Sequence, residues 1–161
     1  MKKLLLAAFV LSFAFIGCKG DDDDVTPTDV RDNIVGEYNC QWRLFNRKTL
    51  IEENKGSFEL KVYKNSDNNA MFDFRINGLQ RFMSGENLVT VQDGFSFQIP
   101  EQDVENFGLI KGTPIINVPG QTTRVAGHLV TATGQVVVFC ERAQGQGKDD
   151  DLLEFKMTPR P

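Results

Sequence analysis

The sequence predicts an all-β fold, a small antiparallel meander β-barrel, and three observations lead there. Thirteen phenylalanines are spread over 161 residues, and the ten that follow residue 17 mostly alternate with polar residues. That period of two belongs to strands, whose side chains point alternately to opposite faces. The alternating segments are short and separated by tight-turn signals, among them Asn77-Gly78, Asp93-Gly94 and Ala132-Thr133-Gly134. No segment sustains a helical period; residues 101–107 alone hold room for a helical turn, and their composition reads as loop. A meander of this length leaves two unpaired edges unless the sheet closes, and closure into a barrel removes them. An open β-sandwich is the alternative.

The chain begins with Lys2 and Lys3, an apolar run over residues 4–16, and Phe15-Ile16-Gly17-Cys18. A positive start, a short apolar stretch and a small residue before the junction make a secretory signal. The run falls short of the roughly 20 apolar residues a membrane span needs. Residues 15–18 resemble a lipobox. That resemblance implies cleavage before Cys18, acylation of its thiol and new amino terminus with palmitate-type chains, and membrane attachment through lipid, which two or three acyl chains hold firmly. Lys19, Gly20 and the run Asp21, Asp22, Asp23, Asp24 follow. Four adjacent like charges repel and bury nothing, so they read as an extended tether. A lysine and an acidic cluster behind the lipidated cysteine also resemble the signal that exports lipoproteins of Bacteroidota to the outer face of the outer membrane. The expected organisation is a signal peptide at 1–17, a lipidated, disordered acidic tether at 18–33, and one barrel domain at 34–161.

Within the domain, Tyr38, Cys40, Trp42 and Leu44 share one face of a first strand, with Asn39, Gln41 and Arg43 on the other. A polar turn over residues 46–54 leads to a second strand with Phe58, Leu60 and Val62 inward. The cluster Asn65-Ser66-Asp67-Asn68-Asn69 is a loop by its turn chemistry. Phe72, Phe74 and Ile76 alternate up to the Asn77-Gly78 hairpin, and residues 79–83 return. Ser84-Gly85-Glu86-Asn87 reads as a turn, residues 88–92 as a strand, and Phe95, Phe97 and Ile99 as its partner. Pro114 and Pro119 bracket a short edge segment at 115–118. Residues 122–131 and 135–142 form a hairpin whose second arm, Val136-Val137-Val138-Phe139, is apolar on both faces and calls for an outer cover. Residues 144–151 are a glycine-rich, then acidic, loop before a last strand with Leu153, Phe155 and Met157 inward.

The opening Gly36-Glu37-Tyr38 resembles the Gly-x-Trp that starts the first strand of lipocalin-like, or calycin-like, proteins, with tyrosine in place of tryptophan and Trp42 four positions on. The resemblance implies a barrel whose mouth takes a small apolar or amphipathic ligand. The inward set Tyr38, Trp42, Phe58, Leu60, Phe72, Phe74, Phe95 and Phe97 then lines the pocket. The same residues serve equally as a solid core, since about eight strands enclose just enough room for side chains. The alternative function is a structural or interaction module that binds a partner protein or a glycan through its outer face, at Val137 and Phe139.

Composition narrows the chemistry. Loss of residues 1–17 removes two lysines and no acidic residue, taking the net charge from −4 to −6, which argues against nucleic acid. His128 is the only histidine and reads as a strand residue on the outer face rather than a metal ligand. No Gly-x-Ser-x-Gly surrounds a serine, and Asp103 with Glu105 lacks an aromatic sugar platform. Asp149-Asp150-Asp151 reads as a loop tip rather than a calcium loop. A non-enzymatic protein with no metal and no cofactor is expected. With Cys18 acylated, Cys40 and Cys140 remain in a compartment where thiols tend to pair, so a disulfide between them is expected, on condition that the final strand does not hold them apart.

Overall fold

The computed structural model describes residues 29–76, 80–113, 126–143 and 151–161. Cys18, Lys19, Asp21 to Asp24, the Asn77-Gly78 turn, the 115–118 segment, Asp149 and Asp150 lie outside the described residues. A 3-10 helix, Val30–Asn33, precedes ten strands: β1 Gly36–Asn46, β2 Glu52–Lys64, β3 Met71–Ile76, β4 Gln80–Val91, β5 Gly94–Gln98, β6 Gln102–Val104, β7 Gly108–Gly112, β8 Gly127–Val130, β9 Gln135–Arg142 and β10 Asp151–Pro159. Every pairing is antiparallel, and the order β10-β1-β2-β3-β4-β5-β8-β9 closes through a β9–β10 ladder into an eight-stranded barrel. No helix among the described residues is long and apolar enough to cross a membrane.

Ten strands make eight staves because two staves are broken in the middle. β5 and β6 run in line, as do β7 and β8. Gly94 pairs with Val130, Phe97 with Gly127, Gln102 with Ile110 and Val104 with Gly108, while Gly112 N donates to Ile99 O between them. The four segments are therefore one long hairpin, β5 and β6 forming one arm and β7 and β8 the other. Thr113 and Ala126 meet the same residue of β9: Thr113 N donates to Phe139 O, and Phe139 N donates to Ala126 O.

Period-two alternation builds the interior as the sequence predicts. Tyr38, Cys40 and Leu44 of β1 are buried while Glu37, Asn39, Gln41 and Arg43 are exposed. Leu60, Val62, Phe72, Phe74, Phe97, Val136, Val138, Leu153, Phe155 and Met157 complete the core. Trp42, Phe155, Val138, Gly127 and Phe97 form one row of ladder partners. Gly127 is required there, since a Cβ would sit 2.0 Å from the Phe97 ring.

Four expectations are corrected. Ser84-Gly85-Glu86-Asn87 is not a turn: it lies within the twelve-residue β4, whose ladder with β5 slips between Glu86 and Val89. That slip is a bulge, and Asn87 takes up the positive φ of 56° that it needs. Residues 102–104 form strand β6 rather than loop. Residues 29–33, expected within a disordered tether, are structured: the Asp29 carboxylate accepts from Arg31 N and closes the start of the 3-10 helix. Cys40 and Cys140 are both free and buried. The final strand separates them, as Cys40 pairs with Met157 and Cys140 with Leu153. Two strand spacings and a four-residue offset put the Cα atoms about 16 Å apart by ladder geometry, against a limit of about 7 Å.

One end of the barrel is shut. Arg31 donates through Nη1 to the carbonyls of Asn65, Asn68 and Met71 and pairs with Asp29 at 2.6 Å. Ile34, fully buried, accepts at its carbonyl from the Tyr38 hydroxyl at 2.9 Å. The 3-10 helix also touches β4, three staves from β1, and so lies across this end.

Candidate functional site

The other end carries the candidate site, built by five rings. Trp42 projects inward from β1 opposite Gly56 of β2, where a Cβ would stand 2.7 Å from indole Nε1; glycine makes room for the ring. Phe155 is the Trp42 partner on β10. Phe82 is an extra residue in β4, because Phe74 pairs with Met83 and Arg75 with Arg81. This bulge turns both Phe82 and Met83 into the interior, where each is at most 5% exposed. Phe58 comes from β2, and Phe107 from the β6–β7 turn. That turn has left-handed residues on each side of Phe107, Asn106 at φ 69° and Gly108 at φ 74°, which aim the ring back over the barrel end.

Phe107 contacts Trp42 at 5.1 Å and 88°, Phe155 at 5.4 Å and 75°, and Phe82 at 5.7 Å and 78° between ring centroids and planes. Phe82 further meets Phe155 at 5.5 Å and Phe58 at 5.0 Å. Edge-to-face pairs of this kind set the positive rim of one ring against the negative face of another. Phe82 and Phe155 are buried, whereas Trp42, Phe58 and Phe107 are half-buried. The rim beyond them is partly apolar, with Leu50 65% and Ile51 63% exposed on the β1–β2 turn. Among the described residues there, Arg142 pairs with the buried Asp151 at 3.3 Å and Arg47 with Glu141 at 2.7 Å.

The wall beside Phe107 has a seam. Between the start of β4 and β6 there is no backbone ladder; the Gln102 carboxamide bridges instead, accepting from Ser84 N at 2.8 Å and donating to Ser84 O at 2.9 Å. Gln80 donates to Glu105 above it. Ser84 is fixed in turn, its hydroxyl donating to buried Asp73 at 2.8 Å. On its other side the hairpin is laddered to β9 through Ile110, Lys111 and Gly112.

Of the eight residues expected to line a pocket, Trp42 and Phe58 border this end and six do not, Leu60 among them as a buried core residue. Phe72, Phe74 and Phe97 are 0–1% exposed and fill one another's space at 5.1–6.3 Å, a solid core deeper in the barrel. Tyr38 seals the opposite end. There burial pushes its hydroxyl pKa up to about 12. Phe95 is half-buried, next to the β4–β5 turn at that same end. Phe82, Phe107 and Phe155 were not in that set. Two adjacent apolar residues in an alternating strand, Phe82-Met83, are the sequence mark of the bulge; nothing in the sequence marks Phe107.

The chain matches no protein-family model and no curated protein. Its reading therefore rests on its own residues. His128 lies on the outer wall as expected but is 6% exposed, opposite Ser96, with Nε2 3.4 Å from Asp93 Oδ1. No group of three or more His, Cys, Asp or Glu among the described residues is placed to hold a metal. Asp103 and Glu105 are exposed, and Val137 and Phe139 are half-buried on the outer wall. A shallow depression of about 360 Å³ over β1 and β2 is bounded by Gln41, Trp42, Arg43, Lys55, Gly56 and Ser57. Its cations are already taken, Arg43 by Glu154 and Lys55 by Glu52.

Proposed function

We propose that this is a non-enzymatic lipoprotein, held on the outer membrane by acylated Cys18 and displayed at the cell surface, whose lipocalin-like barrel takes up a small apolar or amphipathic ligand. The observation that carries the reading is the contrast between the barrel ends. The 3-10 helix and Arg31 shut the end that receives the N-terminal tether, while half-buried Trp42, Phe58 and Phe107 and the apolar rim stand at the other. Anchored in this way, the barrel turns its aromatic end away from the membrane. Ligand sites are mostly apolar and favour the mouths of barrels. A second reading, an interaction module for a partner protein or glycan, draws on the exposure of Leu50 and Ile51 at the tip of the β1–β2 turn.

Trp42 is the only tryptophan, so its emission reports directly on the site. Titration with aliphatic, aryl and saccharide compounds should give a saturable shift for at least one class; a flat response to all of them removes the ligand reading and leaves the interaction module. The address is tested separately on intact cells. Added protease should reach the domain in the wild type. Replacement of Asp21 to Asp24 by alanine should keep the lipid label and lose that access, and unchanged access reduces the acidic run to a tether.

A further inference from the structure

We infer that Phe107 is a built-in occupant of a binding site for one planar, uncharged ring of phenyl size, which an incoming ligand displaces by swinging the β6–β7 turn outward. The inference rests on the ligand-binding reading above and names the chemistry of that site. Three rings on three different strands, Trp42, Phe82 and Phe155, each meet Phe107 edge-to-face. The shape and the quadrupoles of the box therefore match an aromatic ring, and an aliphatic chain of equal volume recovers only the apolar contact. The five rings bring no charge, and an apolar space of this kind stays dry when empty and accepts benzene-like molecules.

The way the ring is held makes it exchangeable. Phe107 is supplied by a three-residue turn rather than a stave, and it is half-buried while Phe82 and Phe155 are covered. On the β4 side the hairpin is held by the side chains of Gln102 and Gln80, with no backbone ladder to break. The three ladder pairs to β9 remain as the hinge line. Withdrawal of the ring would open the barrel at its end and along the seam together.

The test uses the mature chain carrying Cys18→Ala, which removes the lipid and leaves every described residue in place, with 4-fluorotoluene as probe, followed by fluorine NMR and Trp42 emission. The wild-type box should take up the probe saturably. Phe107→Ala should bind it at least tenfold tighter, since the competing ring is gone, and Gln102→Ala should tighten it as well by loosening the seam while Phe107 stays. Cyclohexane should bind more weakly than the probe in all three. Binding by Phe107→Ala alone, with no uptake by the wild type or Gln102→Ala, would show Phe107 to be a fixed plug and overturn the inference. If Phe107→Ala does not fold, the Gln102→Ala comparison decides. A wild-type Trp42 response that saturates with an aliphatic or saccharide ligand but not with the probe overturns the ring site and leaves the ligand-binding reading standing.

Discussion

Cys40 and Cys140 show how much one residue's fate depends on its neighbours across the ladder. Each occupies an inward position, and burial pushes both thiols from 9.0 up to about 12. Tyr38 is driven the same way by burial, from 10.0 to about 12. All three hold their protons in the folded state at a pH where the unfolded chain has released them. Their contribution is therefore complete below pH 9 and is lost as pH rises towards 12. The stability loss should be at most about 1.4 kcal/mol per pH unit for each group that titrates. Urea midpoints measured at pH 8, 10 and 11 should fall, and Cys40→Ala with Cys140→Ala should flatten the part of that fall that begins near pH 9. Alkylation at pH 8 should leave both thiols intact in the native domain and modify both in urea; rapid native labelling would contradict their burial.

At the scale of elements, glycines decide where strands approach one another. A Cβ on Gly94 would come within 1.8 Å of the Leu129 carbonyl oxygen, and this contact is with backbone in the β5–β8 ladder. A Cβ on Gly85 would meet the Phe72 ring at 2.5 Å, and a ring can tilt. Gly85→Ala should therefore cost about 1–3 kcal/mol, as overfilled cores do. Gly94→Ala should cost more, because the ladder itself must shift. Chemical denaturation of the two variants checks the order, and an equal or reversed order would mean that the β5–β8 register yields more easily than the core. Gly85 also accounts for the misread turn. Ser-Gly-Glu-Asn carries turn chemistry, but here the serine is tied to Asp73, the glycine yields to Phe72 and the asparagine supplies the bulge.

For the whole molecule, the two ends divide the labour of closing the barrel. Arg31 is the clamp at the end where β1 begins. It holds the Asp29 carboxyl well below the usual carboxylate range, and Lys64 adds to this with contacts to Asp29 and Asp32. The lowered value means that this ion pair contributes fully above the ordinary carboxylate range and is lost only as pH falls from that range towards the lowered value, so the clamp should survive mild acid. Arg31→Ala takes the donor from three backbone carbonyls and should cost about 2 kcal/mol. Hydrogen exchange should speed up over residues 65–73 and stay unchanged over residues 102–112. Faster exchange at both ends would mean that the barrel closes as one cooperative unit.

The class of fold, the inward face of most strands and the turns at Asp93-Gly94 and Ala132-Thr133-Gly134 are legible in the order of the residues. These properties are local: alternation is written in neighbouring residues, and tight turns are chosen by two or three side chains. Tyr38, Cys40 and Leu44 point inward for no other reason. Register and closure come from long-range pairing. The sequence left open whether β10 would come between Cys40 and Cys140, because a ladder offset depends on how all eight staves slide to close a ring. It left open equally that Phe72, Phe74 and Phe97 would fill the deep core while Phe107, from a three-residue turn, would cover the end. Phenylalanines with the same local pattern differ in exposure according to their height in the barrel, and height is set by residues far away in the chain. The proposal of a lipidated, surface-exposed address rests on residues 15–24, a pattern of neighbouring residues that is read without any fold.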